Sequence, residues 1–387
     1  MALETYSMTM PRTVYSGKNA LDNLKTLVAG VKKVAVFTDK GILATGLVEH
    51  PLARLKEAGV AVEVISDLPP EPTYEQVQKL VDAFKASGAD FIVAVGGGSV
   101  MDTAKLASLL ATEHYTVKDL LDNPGLARKT VTTCLIPTTA GTGSEATPNA
   151  IVAVPEKELK VGIVNGSMVP DYVILDAVMI RDLPRKIAAA TGVDAMAHAI
   201  ECFTSNKANP FSDTFALEAF DLIMNNIERA CDDPEALDAK NQMQIAAFYA
   251  GVAITCSGTT AVHALSYPLG GKYHIAHGVS NAILLVPVMK FNESAIRSKL
   301  AVAYDRIVHG EKTCVTEEEK SAWVIQRMSD IVTHLEIPTS LESFNVSRDD
   351  LEGLVAAGMQ VTRLLVNNMR EVTAEDARRI YQQVLPQ

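Results

Sequence analysis

The sequence predicts an α/β domain built on a doubly wound parallel sheet, followed by an all-α domain. In the first half of the chain, short β-rich runs alternate with amphipathic helical stretches, which is typical of parallel strands joined by crossover helices. From Arg185 onwards the pattern is mostly helical, with Pro, Gly and Asn spaced as in turns between helices. We therefore predict an α/β domain over 1–184 and a helical domain over 185–387, with a ligand cleft between them.

Strands and helices alternate along the predicted α/β domain. Each strand is a short run rich in β-branched residues, and each helix carries apolar residues at helical spacing. Thr73 is typical of a helix N-cap, and Gly88 of the residue that ends a helix. The predicted strands are 33–38, 61–65, 91–95, 134–136 and 172–175, and the predicted helices are 49–58, 74–86 and 100–111.

A β-hairpin is predicted between Asn149 and Val164. Two β-like runs there flank the turn Pro155-Glu156-Lys157-Glu158. A turn between two such runs favours antiparallel pairing. We expect this hairpin to be inserted in the layer of strands.

Composition excludes several classes of protein. The net charge is −11 and Lys and Arg do not cluster, whereas a nucleic-acid-binding protein needs a basic surface. The five cysteines form no C-x-x-C pair, which indicates free thiols in a reducing compartment. The start of the chain lacks the apolar core of a secretory signal, and there is no apolar run of about 18 residues for a membrane helix. We expect a cytoplasmic protein that binds neither nucleic acid nor membranes.

A glycine turn follows the strand 91–95. Gly96, Gly97 and Gly98 allow a ligand to approach the backbone, and the helix that begins after them offers free N–H groups to phosphate oxygens. The turn matches neither the G-x-G-x-x-G fingerprint nor a Walker loop. A triple glycine after a strand is also a common tight turn, so this motif alone leaves both interpretations open.

Two further features favour dinucleotide binding. Asp39 ends the first predicted strand, where a carboxylate can bind the adenosine ribose, although helix capping is the commoner role of such a residue. The second feature is a hydroxyl-rich loop directly after a strand, which is either an ordinary polar loop or the wall of a nicotinamide site. That loop is Pro137-Thr138-Thr139-Ala140-Gly141-Thr142-Gly143-Ser144-Glu145.

The helical half contains a candidate metal site. Asp194 and His198 are four residues apart on a predicted helix, so they share one face, with Cβ atoms about 5–6 Å apart. Their apolar surroundings indicate burial, and a buried Asp and His need partners, either a metal ion or each other. Imidazole and carboxylate donors suit Fe²⁺, Zn²⁺, Ni²⁺ or Co²⁺.

Three histidines follow within fifteen residues: His263, His274 and His277. On one straight helix His263 and His277 would lie about 21 Å apart, too far to share an ion. Pro268 and the Gly270-Gly271 pair between them are expected to break the helix and let the chain fold back. Asp194, His198, His263 and His277 would then form one site for a divalent ion.

Four segments resemble the signature motifs of the iron-containing (group III) alcohol dehydrogenases, a family that includes lactaldehyde reductase and propanediol dehydrogenase. They are GGGSVMDTAK, PTTAGTGSE, ATGVDAMAHAIE and HALSYPLGGKYHIAHGVSNAI. The resemblance implies a dinucleotide-binding domain, a helical metal domain, a homodimer, NAD and Fe²⁺, with Zn²⁺ as an alternative ion. It implies metal ligands at Asp194, His198, His263 and His277. It implies cofactor contacts at Asp39, Gly96, Gly97, Gly98, Ser99, Asp102, Thr138, Thr139, Thr142 and Lys160.

One residue departs from the family pattern. Members such as lactaldehyde reductase carry a histidine where this chain has Tyr267. With an ordinary pKa of about 10, a tyrosine exchanges protons poorly at neutral pH, although it still hydrogen-bonds a water molecule. We name Tyr267 and His274 as candidate catalytic residues, with His274 as an alternative group that reaches the pocket.

These features predict reversible, NAD(H)-dependent and metal-dependent interconversion of a short polar primary alcohol and its aldehyde. The ion would act as a Lewis acid on the substrate oxygen while the nicotinamide exchanges a hydride. One alternative is a non-redox enzyme of the dehydroquinate synthase type, which would need more basic residues than Lys272 near the metal segments. The other is a metal- and nucleotide-binding protein without turnover.

Overall fold

The computed structural model describes residues 5–112, 114–157 and 159–386, so the first four residues, Glu113, Glu158 of the predicted turn and the last residue lie outside the description. The chain divides into two compact units. One is Thr9–Leu183, and the other is Pro184–Gln387 together with Met1–Met8. They are called the nucleotide unit and the helical unit below.

The nucleotide unit alternates strands and helices, as its sequence predicts. The strands are β1 (Thr13–Ser16), β2 (Lys33–Asp39), β3 (Ala61–Leu68), β4 (Phe91–Gly96), β5 (Thr132–Pro137), β6 (Asn149–Val154), β7 (Leu159–Val164) and β8 (Tyr172–Leu175). The helices are α1 (Leu24–Leu27), α2 (Lys40–Thr45), α3 (Glu49–Glu57), α4 (Tyr74–Ser87), α5 (Gly98–Leu110) and α6 (Val117–Asp122). Short 3-10 turns cover Ala20–Asn23, Pro124–Leu126, Pro155–Lys157, Gly166–Met168 and Ala177–Ile180.

A six-stranded sheet in the order β1-β8-β5-β4-β2-β3 forms the centre of this unit. Neighbouring strands pair in parallel throughout the described sheet, which confirms the predicted fold class. From β2 the chain moves outwards to β3 and then returns to β4 on the other side of β2. The carboxyl ends of β2 and β4 therefore form the topological switch point, where α/β sheets bind ligands.

Local sequence signals explain several of these elements. The central strand β4 is buried along its whole length, so its residues form an unbroken apolar run. At the start of α4, Thr73 and Gln76 form a capping box, and Gly88 ends the helix in the left-handed conformation that favours glycine. The edge strand β1 is absent from the sequence prediction because its four residues are only partly buried and lack an apolar run.

The predicted hairpin forms, but its expected place in the layer is wrong. Strands β6 and β7 pair antiparallel in a separate two-stranded sheet. Asn149 lies opposite Val164 at one end of the pairing, and Val154 lies opposite Leu159 at the other. Its alternating burial leaves Ile151 partly exposed while Ala150 and Val152 are buried, the pattern of a ribbon with one face on the core.

The helical unit contains helices of very different lengths. They are α7 (Arg185–Phe203), α8 (Pro210–Asp232), α9 (Leu237–Cys256), α10 (Ala261–Tyr273), α11 (His277–Ile307), α12 (Glu317–His334), α13 (Leu351–Met359), α14 (Thr362–Leu365) and α15 (Ala374–Gln382), with 3-10 turns at Glu342–Phe344 and Arg348–Asp350. Among the described helices, no single one is long and apolar enough to cross a membrane, and only the pair α9 and α10, bent by 106°, meets both criteria together.

The expected helix break at Pro268 and Gly270-Gly271 is wrong. Helix α10 continues through these residues to Tyr273, because its first turns are buried and packing outweighs the hydrogen bond that proline removes. The chain turns instead at His274, which has φ 55° in the left-handed region. The amides of His274 and Ile275 both bond the carbonyl of Leu269, which closes the end of the helix.

Candidate active site

Helix α7 carries one stripe of buried polar side chains. Asp194, His198 and Glu201 are spaced by four and three residues, which places them on the same face of the helix. The relative exposures of these residues are 2%, 6% and 0%. Alanines and other apolar residues surround the stripe on a helix that is buried on nearly all sides from Ala189 to Phe203.

Helices α10 and α11 bring two histidines to this stripe. His263 lies in the first turn of α10, and His277 is the first residue of α11, so the turn at His274 returns the chain to the cluster. Gly278 allows α11 to begin close to α7. A Cβ atom at Gly278 would lie 2.2 Å from the carbonyl oxygen of Ala190, so any side chain there would push the two helices apart.

The four side chains predicted as metal ligands meet at one point. Asp194, His198, His263 and His277 each offer a donor atom, and these atoms lie within 4.8 Å of one another. Oδ1 of Asp194 lies 4.0, 3.7 and 3.6 Å from Nε2 of the respective histidines. Three imidazoles and one carboxylate converging in this way fit a divalent transition-metal ion. His277 is the open side of the cluster, with 44% of its side chain exposed.

Electrostatics in the cluster favour positive charge at His263 but not at His198. Burial lowers the pKa of His198 to about 4, which leaves this imidazole neutral with a free lone pair. Burial also opposes protonation of His263, but the carboxylates of Glu201 and Asp194 outweigh it and raise the pKa of His263 to about 10. The neighbouring imidazoles outweigh the burial of Asp194 and hold the pKa of its carboxyl well below the ordinary range. A position that stabilises a proton against burial also stabilises a metal cation.

Two polar residues that the sequence analysis did not single out contact these ligands. A carboxylate oxygen of Glu201 forms a short hydrogen bond with Nδ1 of His263. Nδ2 of Asn281 donates to Oδ1 of Asp194 at 2.7 Å and lies 3.1 Å from Nε2 of His263. Helical spacing is the sequence signal that could have identified them. Glu201 follows Asp194 by two turns of α7, and Asn281 follows His277 by one turn of α11.

The two candidate catalytic residues occupy different positions. The ring of Tyr267 lies 6.2 Å from that of His277, at the open side of the cluster. The hydroxyl of Tyr267 accepts a hydrogen bond from the guanidinium of Arg363 at 3.3 Å. His274 is exposed and ends α10, and it is not part of the four-residue cluster. The roles of Tyr267 and His274 in proton transfer stay predictions.

In the nucleotide unit, a pocket of about 530 Å³ lies at the switch point between β2 and β4. Asp39 stands at its β2 side, and Gly97, Gly98 and Ser99 form its β4 side at the start of α5. The pocket is thus lined by a carboxylate at the end of β2 and by the N-terminus of α5, which follows the glycine turn. This combination binds ribose and pyrophosphate. Asp39 also caps α2 by accepting a hydrogen bond from the amide of Ile42 at 2.9 Å.

The hydroxyl-rich loop lies against the glycine turn. A Cβ atom at Gly98 would lie 3.3 Å from Cγ2 of Thr142, and one at Gly97 would lie 4.0 Å from Oγ1 of Thr139. The amide of Thr138 donates to the carbonyl of Gly96 at 3.1 Å. The structure therefore brings together the two segments that the sequence analysis assigns to one cofactor site.

Asp102 and Lys160 are engaged with other protein groups. The carboxylate of Asp102 accepts from the hydroxyl of Ser144 at 2.5 Å and from the amide of Ile151 at 2.9 Å, and Lys105 lies 3.2 Å away. Lys160 forms an ion pair with Glu71. Because Asp102 links α5 to the hydroxyl-rich loop, we expect its effect on a cofactor to be indirect.

Comparison with known proteins decides the family. The model of the iron-containing alcohol dehydrogenases matches residues 11–177, and that of the C-terminal part of the Fe-containing alcohol dehydrogenase family matches residues 188–385. The chain belongs to the iron-containing alcohol dehydrogenase family. It is 34% identical to long-chain-alcohol dehydrogenase 1 of Geobacillus thermodenitrificans, over 96% of this chain and 95% of the relative.

Solved structures support the same relationship. The crystal structure of a 1,3-propanediol oxidoreductase matches with a TM-score of 0.93 and 28% identity, over 99% of this chain and 100% of the other. A sulfoacetaldehyde reductase of Bifidobacterium kashiwanohense in complex with NAD⁺ matches with a TM-score of 0.89 and 25% identity, over 98% and 99% of the two chains. The expected family and reaction class are confirmed: this protein is an alcohol dehydrogenase that interconverts alcohols and aldehydes. Neither alternative, an enzyme of the dehydroquinate synthase type or a protein without turnover, explains these similarities.

Proposed function

We propose that the enzyme uses a divalent metal ion, Fe²⁺ in the first place and Zn²⁺ as an alternative, held by Asp194, His198, His263 and His277. The observation that carries this proposal is the convergence of these four donors within 4.8 Å in a largely buried site. When bound, the ion supplies Lewis acidity to the substrate oxygen. Tyr267 lies beside His277, the exposed member of the cluster, and its hydroxyl accepts a hydrogen bond from Arg363.

We propose NAD as the cofactor, bound in the pocket of the nucleotide unit. The free amides at the start of α5 would receive the pyrophosphate, and Asp39 would accept hydrogen bonds from the adenosine ribose. A carboxylate at this position would repel the 2′-phosphate of NADP. The NAD⁺ complex of the similar sulfoacetaldehyde reductase supports the same choice.

We propose a short polar aldehyde as substrate and a cytoplasmic homodimer as the form of the enzyme. The Tyr267 hydroxyl and the Arg363 guanidinium place hydrogen-bonding groups beside the open side of the cluster, which favours a substrate with a second oxygen. The five cysteines are all free thiols, as expected for a reducing compartment. The homodimer rests on the family resemblance.

The decisive experiment combines metal analysis of anaerobically purified protein with NADH oxidation against matched aldehydes, such as propanal and 2-hydroxypropanal. We expect about one ion per chain, turnover lost on chelation and restored by Fe²⁺, and a higher kcat/KM for the hydroxylated aldehyde. Turnover that persists after complete removal of metal would refute the metal site. A preference for propanal would refute only the polar substrate, and light scattering tests the dimer separately.

A further inference from the structure

The carboxylate of Glu201 joins helix α7 to the start of helix α10. Glu201 is fully buried. Its Oε1 accepts three hydrogen bonds from the start of α10: from the amide of the N-cap residue Thr260 at 3.1 Å, from the hydroxyl of Thr260 at 2.6 Å and from the amide of Val262 at 2.7 Å. Its Oε2 faces Nδ1 of His263. Both oxygens of one buried carboxylate are thus committed to the segment that presents a proposed metal ligand.

This contact determines which nitrogen of His263 carries the proton. An ionised carboxylate only accepts hydrogen bonds, so Nδ1 of His263 must be the donor. In a neutral imidazole the lone pair then lies on Nε2. Nε2 is the atom that faces the cluster, 3.7 Å from Oδ1 of Asp194. The protonation pattern imposed by Glu201 is therefore the one that a metal ligand needs.

His198 shows that such support is specific. Nδ1 of His198 is buried and has no hydrogen-bond partner among the described residues. His198 lies in the middle of α7, whereas His263 lies in the first turn of α10, which begins at Ala261. Glu201 thus supports the histidine at a helix start.

We propose that Glu201 is a positioning residue of the metal site, which orients His263 and fixes its tautomer. The hydrogen bonds of its Oε1 hold it at the start of α10, and its Oε2 meets Nδ1 of His263. Carboxylates that hold a ligating histidine in this way raise its basicity, and their loss typically weakens metal binding 10–100-fold. This inference rests on the proposed metal site.

Glutamine is an informative substitute because it has the same shape but only one accepting end. If its oxygen accepts from the amides of Thr260 and Val262, its NH₂ group faces Nδ1 of His263 and favours the tautomer with the proton on Nε2. If the amide is turned round, its NH₂ group faces the two backbone donors instead. In either orientation, Glu201→Gln removes one of the two functions of the carboxylate.

The test is a titration of metal-free full-length protein with Co²⁺ and Zn²⁺ in competition with a chelator. We expect Glu201→Gln to weaken both ions 10–100-fold and to change the visible absorption bands of bound Co²⁺. The matched control is Glu228→Gln, which breaks an ion pair with Arg327 elsewhere in the helical unit and should leave affinity and spectrum unchanged. Wild-type affinity and an unchanged spectrum in Glu201→Gln would overturn the proposal.

A second measurement needs no variant. In the Zn²⁺-loaded wild-type protein with ¹⁵N-labelled histidine, NMR should show His263 with a proton on Nδ1 and the metal on Nε2. A metal on Nδ1, or an unprotonated Nδ1, would refute the role of Glu201 even if the glutamine variant fails to fold. Wild-type protein that binds neither ion would instead refute the proposed metal site itself, so the two failures are distinguishable.

Discussion

The imidazoles of His198 and His263 are stacked, with ring centroids 4.5 Å apart and planes inclined by 21°. Two imidazolium ions at this separation would repel each other strongly in a buried site. The stacked pair therefore suits two neutral rings, or one neutral and one protonated ring. Two neutral rings would leave both imidazoles able to bind the proposed divalent ion.

Removal of one stacked ring should remove the ion. We expect His198→Ala to leave less than a tenth of the wild-type metal content and to lower kcat/KM for aldehyde reduction at least 10³-fold, because metal catalysis is lost. Elemental analysis and NADH oxidation measure the two effects. His334→Ala, which changes an exposed histidine on α12 that pairs with Asp232, is the control. Full metal content in His198→Ala would exclude His198 as a ligand.

The contact between Gly278 and Ala190 predicts a second effect on the cluster. In Gly278→Ala the new methyl carbon would lie 2.2 Å from a backbone oxygen, so α11 must move away from α7 and carry His277 with it. We expect a loss of about 1–3 kcal/mol in the free energy of unfolding, as for other overpacked sites, together with weaker metal binding. Chemical denaturation and chelator competition measure these quantities.

Gly271→Ala is the matched control for this substitution. A Cβ atom at Gly271 meets nothing within 4 Å, and alanine favours the helix that α10 forms there. This variant should be as stable as the wild type or slightly more stable. If both glycine variants lost the same stability, the close approach at Ala190 would not be the cause.

Asp39 should determine the choice between NAD and NADP. We expect Asp39→Ser to raise the ratio of kcat/KM for NADPH to that for NADH at least tenfold, because the negative charge that would repel the 2′-phosphate is lost. Serine is chosen because it can still cap α2 at the amide of Ile42. Asp90→Ser removes a carboxylate at the opposite end of the strands, where it accepts from the amides of Lys32 and Lys33, and should not change the ratio.

Burial raises the pKa of Glu145 to about 7. A carboxyl whose pKa is higher in the folded than in the unfolded protein contributes stability below the unfolded pKa, and this contribution is lost as the pH rises through the folded pKa. The wild type should therefore lose on the order of 3 kcal/mol of unfolding free energy between about pH 4.5 and 7 through this group. Glu145→Gln should remove that part of the pH dependence.

Denaturation curves at a series of pH values test this prediction. Glu156→Gln, which changes an exposed carboxylate in the same unit, serves as the control and should follow the wild-type curve. Parallel curves for Glu145→Gln and the wild type would show that the carboxyl of Glu145 does not titrate in this range.

The sequence predicts most of the nucleotide unit because each central strand is a buried apolar run, bounded by caps such as Thr73 and Gly88. It misses β1, because these four residues form a strand only through pairing with β8. It also misplaces the turn after α10, because Pro268 marks a local weakness of the helix while packing of the preceding turns decides whether the helix ends. His274 has no local signal that would single it out for a left-handed conformation.

In the candidate site, too, the sequence predicts what depends on one element and misses what depends on packing between elements. Asp194 and His198 share a helix face by spacing alone, whereas the approach of His263 and His277 depends on three helices. It was expected from a helix break at Pro268 that does not form, and from the resemblance. The role of Glu201 could not be predicted, since its partners follow it by about sixty residues, at the start of α10. Side chains that act through another residue leave a sequence signal only where both lie on one element.

Tyr267 lies beside the cluster, and its part in proton transfer can be tested directly. Its ring is 6.2 Å from that of His277, and its hydroxyl accepts a hydrogen bond from Arg363. If the proton passes through water or ribose hydroxyls, Tyr267→Phe should keep full metal content and reduce kcat less than tenfold, with the larger change in KM for polar aldehydes. Steady-state kinetics with metal analysis of the same preparation measure both. Abolished turnover in a fully metallated Tyr267→Phe enzyme would instead assign the proton transfer to this hydroxyl, and Arg363→Ala, which leaves the hydroxyl in place, would then be expected to retain activity.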